Sequence, residues 1–236
     1  MSCRRLLAFV ALRPFRVDRA YAAGSLWPVN DEDRAHGNLR SALWRLNRVD
    51  VHLLSADKHG LIVHDDVVVD LHAVSAWATR VIEHTAGQDE LRSAPPGLEA
   101  LELLPGWYDD WALMERERVR QRLLHALDSQ SQQLRLMGCH AEAVDVAMAA
   151  VSAEPLRESA QRTLLLAHLA AGNWVEGRRG LEMYARLLER ELGVEPAPDL
   201  TGLLRDGGDA RSGGGGERDA SRQGRSPPRP PEGKPC

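Results

Sequence analysis

Apolar residues recur every three or four positions through most of the chain, the spacing of amphipathic helices. The exceptions are residues 51–69, where short β-prone runs flank polar turns, and the polar tail from Asp206. At the front, Arg4–Leu12 reads as a short apolar helix ended by Pro14, and Asp18 can cap a second helix, Arg19–Leu26, stopped by Trp27-Pro28. A third helix begins near Asp31-Glu32-Asp33, whose carboxylates suit a helix N-terminus, and runs to about Val49. Val51–Leu54 and Leu61–Val63 around the polar Ala56–Gly60 predict a hairpin, and Val67–Val69 predicts one more short strand.

From Asp70 to Leu204 the periodicity is helical throughout. Asp70 can cap a helix through Ile82 that ends by Gly87, and a loop with Pro95-Pro96-Gly97 follows. A long helix then leads from the Trp107–Trp111 region to Met137, closed by Gly138, and His140–Ser152, Leu156–Ala171 and Trp174–Leu192 complete the series. Gly138-Cys139-His140-Ala141-Glu142-Ala143 matches Gly172-Asn173-Trp174-Val175-Glu176-Gly177 at an offset of 34 residues. That offset is the period of the tetratricopeptide helix pair, so two stacked antiparallel helix hairpins are expected. The fold class is therefore mainly α: a three-helix unit with a hairpin, then a tetratricopeptide-like helical domain. From Asp206 to Cys236 there is no Leu, Ile, Val, Met, Phe, Tyr or Trp, which predicts a disordered tail. The domain reading is 1–69, 70–205 and 206–236.

Charge sharpens this division. Residues 1–48 hold nine arginines against four acids, whereas residues 73–205 hold 14 basic and 20 acidic residues. A basic front on an acidic body fits a small nucleic-acid-binding unit joined to a separate acidic module. Arginine abundance alone says little, because 28 of the 30 basic residues are arginine wherever they fall. No run of 18 apolar residues suggests a membrane span, and the short apolar run at residues 6–12 lacks the features of a signal peptide. Cys3, Cys139 and Cys236 are distant and odd in number, which points to a reducing cytoplasm rather than a disulfide framework.

The third helix carries the candidate chemistry. At 100° per residue, Ala35, Leu39, Ala42, Leu43, Leu46 and Val49 share one side. Arg34, Asn38, Arg40, Ser41, Trp44, Arg45, Asn47 and Arg48 share the other, and no acid follows Asp33. Surface helices usually mix both signs, so a face of arginine, asparagine and serine resembles a major-groove reading surface, with Arg directed to guanine and Asn to adenine. Trp44 suits either a nucleic-acid contact or packing on the hairpin or the helical domain. Lys58 and His59 at the hairpin tip would approach the neighbouring backbone or minor groove. Three helices followed by a hairpin is the winged helix-turn-helix order.

Catalytic readings fare worse. Asp109-Asp110 stands where a helix begins and reads as N-cap and first-turn carboxylates. The nine histidines show no H-x-x-x-H with a third ligand, no serine has a nucleophile-elbow context, and Gly213–Gly216 lacks the G-K-[ST] of a phosphate loop. No enzyme, metal or cofactor is expected.

Three segments in order, Asn38–Leu46, Leu104–Trp111 with Glu115–Arg118, and Glu191–Pro196, resemble the Streptomyces antibiotic regulatory protein family across about residues 4–204. The resemblance implies a winged helix-turn-helix DNA-binding domain followed by a bacterial transcriptional activator domain. It implies activation of secondary-metabolite gene clusters, with binding to direct repeats near the −35 region, dimers on those repeats, and contact with RNA polymerase and its sigma factor. It also implies a small β-sheet before the first helix; only five residues precede Leu6, so domain 1–69 is expected to lack that sheet, either because the true start lies upstream of Met1 or because the domain is truncated. The competing expectation is a tetratricopeptide-like adaptor whose front end does not bind DNA.

Overall fold

A computed structural model of the chain describes residues 2–48 and 52–204. The third helix ends at Leu46, short of the expected Val49, and Asn47 and Arg48 form a turn; Val49 itself, the strand residue Val51 and the tail from 206 lie outside the described residues. Helix α1 spans Ser2–Ala11, α2 Arg19–Leu26 and α3 Glu32–Leu46. Leu6, Phe9 and Val10 of α1 are all fully buried, as residues spaced three and four apart on one helical face should be. The α2 cap is as expected: the Asp18 side chain accepts the Tyr21 N–H at 2.9 Å. Asp31 likewise caps α3 by accepting the Arg34 N–H at 2.8 Å, and Glu32 and Asp33 occupy its first turn.

Strands β1 (Leu54–Ala56) and β2 (Leu61–Val63) pair antiparallel, with Leu54 opposite Val63 and Ala56 opposite Leu61. The expected strand at Val67–Val69 does not form. Val68 is exposed and its neighbours half-buried, so the apolar alternation exists without a strand beside it. Part of its backbone serves turns instead: the Val67 N–H donates to His64 O, and Val69 O accepts from His72. The outer edge of β2 is met by Val17, which exchanges two hydrogen bonds with Leu61 at 2.7 and 2.8 Å. Gly60 is needed for that approach, because a Cβ there would lie 2.5 Å from Val17 O.

Helix α4 is Asp70–Ile82, with Val69 rather than Asp70 at the cap position; the Asp70 carboxylate lies within the first turn. The proline loop contains a short helix, α5 (Gln88–Arg92), and a 3₁₀ turn, Leu98–Glu102, neither foreseen from periodicity because each is too short to show a repeat. Helix α6, Asp110–Leu136, is 27 residues long, and α4, α5 and α7 all pack on it. Its buried polar residues tie those neighbours down. Ser129 Oγ donates to Val81 O at 3.1 Å, Gln130 Nε2 to Leu91 O at 2.7 Å, and Ser131 Oγ to Ala143 O at 2.7 Å. Two of these carbonyls, Val81 and Leu91, sit in last helical turns, where intrahelical partners run out.

Helices α7 (His140–Ala153), α8 (Glu158–Ala170) and α9 (Trp174–Leu192) stack in turn, α7 on α6, α8 on α7 and α6, and α9 on α8. The 34-residue repeat shows in the matching backbone of its two turns. Gly138 and Gly172 take φ of 79° and 78°, the left-handed region open to glycine. The next N–H of each reaches back one turn, Cys139 to Leu134 O and Asn173 to His168 O, both at 2.9 Å. Ala143 and Gly177, equivalent in the repeat, are both buried where helices approach closely, and a Cβ at Gly177 would lie 3.1 Å from Leu165 Cδ1.

Met1–Pro196 form one compact unit, and its front helices share a core with the helical stack. Residues 197–204 belong to a second unit, in which 198–204 are helical and Thr201 Oγ1 donates to Pro198 O at 3.0 Å.

Candidate nucleic-acid interface

The sequence divides α3 into two sides, and burial follows the division. Ala35, Leu39, Ala42 and Leu43 are buried, and α1 and α2 pack on α3. Arg34, Arg40, Ser41, Arg45, Asn47 and Arg48 are exposed, while Asn38 is half-buried at the margin. Trp44 is 60% exposed, and the Arg48 guanidinium lies 4.8 Å from its ring centroid. This indole packs against an arginine of the turn that follows its helix and stays open to solvent, a stacked pair suited to phosphate, sugar or a thymine methyl. Arg34 is partly occupied, at 3.6 Å from the capping Asp31. Arg40, Arg45 and Arg48 have no salt-bridge partner among the described residues. Each guanidinium carries five donors of the kind that meet an anion or a base edge.

The hairpin tip is built around Asp57. Its Oδ1 accepts the N–H groups of His59 at 2.8 Å and Gly60 at 3.0 Å, and its Oδ2 meets Arg16 Nη1 at 2.6 Å. The His59 N–H leads the causes that hold this carboxyl below its ordinary range, outweighing desolvation. Lys58 and His59 are exposed on the turn so shaped. Arg19 donates to Asp57 O at 3.0 Å, so the tip gathers Arg16 and Arg19 beside Lys58 and His59. Neither arginine was legible as a site residue. The available signal was an aspartate inside an otherwise basic turn, which needs donors from elsewhere in the chain.

Helix α1 links this face to the helical stack. It packs on α3, with Cys3 Sγ 3.7 Å from Ala42 O, and on β2. On its other flank Phe9 meets Trp111 edge-to-face at 5.2 Å, Arg13 pairs with Glu115 at 3.3 Å, and Arg5 pairs with Asp109. Asp109 holds the cap position of α6, yet its carboxylate serves Arg5 and makes no capping bond. The Trp107–Trp111 cluster is divided: Trp111 is buried, Trp107 half-buried at 5.9 Å from it, and Tyr108 81% exposed. Among the described residues no group of three or more His, Cys, Asp or Glu could hold a metal ion, and no helix is long and apolar enough to cross a membrane.

A winged three-helix unit feeds a stack of helix hairpins, and the chain's relatives make it a bacterial transcriptional regulator. The bacterial transcriptional activator domain profile matches residues 72–206, and the chain belongs to that family. It is 31% identical to regulatory protein AfsR of Streptomyces coelicolor over 212 residues, covering 85% of this chain and 21% of that protein. It is 38% identical to regulatory protein AfsR of Streptomyces griseus over 108 residues, covering 44% of this chain and 10% of that protein. The chain thus spans about a fifth or less of these relatives' length. Among solved structures, Mycobacterium tuberculosis EmbR in complex with a low-affinity phosphopeptide matches with a TM-score of 0.55 and 17% identity. That match covers 89% of this chain and 59% of the EmbR chain, and it is a likeness of fold.

Proposed function

We propose that this protein is a sequence-specific DNA-binding transcriptional activator of a secondary-metabolite gene cluster, acting in the cytoplasm without catalysis or cofactor. The observation that carries the reading is the outer face of α3: Arg40, Ser41 and Arg45 are exposed there and Arg48 in the turn that follows, with no acid on the helix beyond its first turn. In this reading α3 enters the major groove. Asn38 or Arg45 reads a base edge, Arg40 and Arg48 hold phosphate, Trp44 packs on sugar or a methyl group, and Arg34 assists at the helix start. Lys58 and His59 at the hairpin tip, with Arg16 and Arg19 behind them, take the adjacent backbone. The acidic helical stack contacts RNA polymerase and its sigma factor, and two copies occupy a promoter's direct repeats.

A salt titration of duplex DNA binding tests this on the full chain. Phosphate contacts release counterions, so affinity should fall steeply and linearly on a log–log plot, with a slope of about −0.9 per contact. Absence of a salt-dependent slope would return the molecule to the adaptor class.

A further inference from the structure

The hairpin tip holds one carboxylate, Asp57, among three permanent cations, Arg16, Arg19 and Lys58. The carboxyl is held below its ordinary range, chiefly by the His59 N–H, so it is ionised at neutral pH. An anion on a surface assigned to the DNA backbone repels phosphate, and the tip would bind more tightly without it unless the acid serves another purpose there.

Its contacts differ in kind. Asp57 Oδ1 accepts the N–H groups of His59 at 2.8 Å and Gly60 at 3.0 Å, which fixes the shape of the turn. Asp57 Oδ2 accepts from Arg16 Nη1 at 2.6 Å, so the Arg16 charge is met within the protein. Arg19 is held otherwise. Its Nη1 donates to the main-chain carbonyl of Asp57 at 3.0 Å, and it has no salt-bridge partner among the described residues. A neutral carbonyl fixes a guanidinium without cancelling its charge. The peptide group that holds Arg19 is the one that joins Asp57 to Lys58, so two uncancelled cations meet at a single peptide. The segment between the arginines is fixed as well, because Val17 exchanges two hydrogen bonds with Leu61. Gly60 leaves room for it: a Cβ there would lie 2.5 Å from Val17 O and 2.8 Å from Arg16 Cγ.

We propose that Asp57 is the positioning residue of a phosphate clamp, tying down Arg16 and shaping the turn whose carbonyl holds Arg19 beside Lys58. The inference rests on the DNA-binding reading and divides the tip residues by role. Arg16 is structural, and Arg19 and Lys58 carry phosphate contacts.

The test is a salt titration of binding to a mixed-sequence duplex, on the full chain and its Asp57→Ala, Asp57→Asn and Arg19→Gln variants, with hydrogen exchange of the His59 and Gly60 amides alongside. Asp57 is exposed, so the fold should persist, which circular dichroism would verify. Arg19→Gln should make the log–log salt slope shallower by about 0.9, the loss of one phosphate contact. Asp57→Ala should do the same, speed exchange at both amides, and add nothing further in the Arg19→Gln background. Asp57→Asn keeps an oxygen acceptor for the turn and loses only the charge, so it should keep the slope and the slow exchange and bind DNA at least as tightly as the natural chain. A residue that acted through charge alone would shift Asp57→Ala and Asp57→Asn in the same direction, and that result would overturn the proposal. So would an unchanged slope in Asp57→Ala or in Arg19→Gln while the natural chain shows one. Absence of any salt slope in the natural chain would remove the DNA-binding reading itself, and the clamp with it.

Discussion

Phe9→Ala should unfold far more than the short helix that carries it. Phe9 is fully buried, lies edge-to-face with Trp111 at 5.2 Å and tilted against Tyr21 at 5.7 Å, and carries the Arg13 guanidinium 3.8 Å above its ring. Truncating a buried phenylalanine costs about 3–5 kcal/mol through lost transfer energy and the cavity left behind. The edge-to-face contact with Trp111 accounts for about 1 kcal/mol of that. For a unit of this size each kcal/mol moves Tm by about 2–4 °C, so a fall of roughly 6–20 °C is expected. Phe15→Ala is the internal control: Phe15 is 78% exposed, and its removal should change stability by no more than about 0.5 kcal/mol.

Urea unfolding followed in parallel by tryptophan fluorescence and far-ultraviolet circular dichroism reads both halves at once, since most of the helix lies in the stack. If α1 shares the core of α6, both signals shift together. A Phe9→Ala loss below about 1 kcal/mol would refute the shared core, because no fully buried phenylalanine is truncated so cheaply. A fluorescence transition that moves while the helical signal stays put would refute it too.

Gly60→Ala should break the pairing of Val17 with Leu61, since the new Cβ meets the Val17 carbonyl at 2.5 Å. A loss of about 1–3 kcal/mol and faster hydrogen exchange at the Val17 and Leu61 amides would show it; unchanged exchange would contradict the contact. Stability should fall on acidification through the His168 titration. Burial holds this imidazole's pKa below its ordinary 6.5, against the opposing pull of Glu176, so the neutral ring is favoured in the folded state. Its stabilising contribution is present above about pH 6.5 and lost as the pH falls below it. His168→Gln should flatten that part of the stability–pH curve, and an unaltered curve would contradict the assignment. Residues 70–204 expressed alone should keep a helical spectrum and melt cooperatively, at a lower temperature because Trp111 loses Phe9; a non-cooperative melt would refute a self-sufficient stack.

The helices were legible where a local residue marks their ends. Asp18 and Asp31 cap as their chemistry demands, and Gly138 and Gly172 close their helices at equivalent left-handed positions. The side of α3 that faces solvent was legible for the same reason, since periodicity alone assigns it. What escaped depends on partners distant in sequence. Val67–Val69 alternates like a strand, but Val17, 44 residues from Leu61, met the sheet edge instead. Arg16 and Arg19 reach the hairpin tip only because Asp57 lies across that sheet. Asp109 sits at a cap position as expected, yet answers to Arg5, 104 residues away, a competition between local and tertiary partners that sequence spacing cannot decide.

The central claim is that the exposed side of α3 reads DNA sequence. Duplexes selected by the full chain from a randomised pool should share a common repeated element, and binding to it should be measured by fluorescence polarisation against scrambled competitor. The combined variant Asn38→Ala, Arg45→Ala and Arg48→Ala leaves the buried stripe of Ala35, Leu39, Ala42 and Leu43 intact, so the fold should survive. Loss of a single base-reading side chain is worth about 1–3 kcal/mol, so the triple variant should lose preference for the selected element and bind all duplexes weakly, with a shallower salt slope. Undiminished preference for the selected element in that variant would contradict the account.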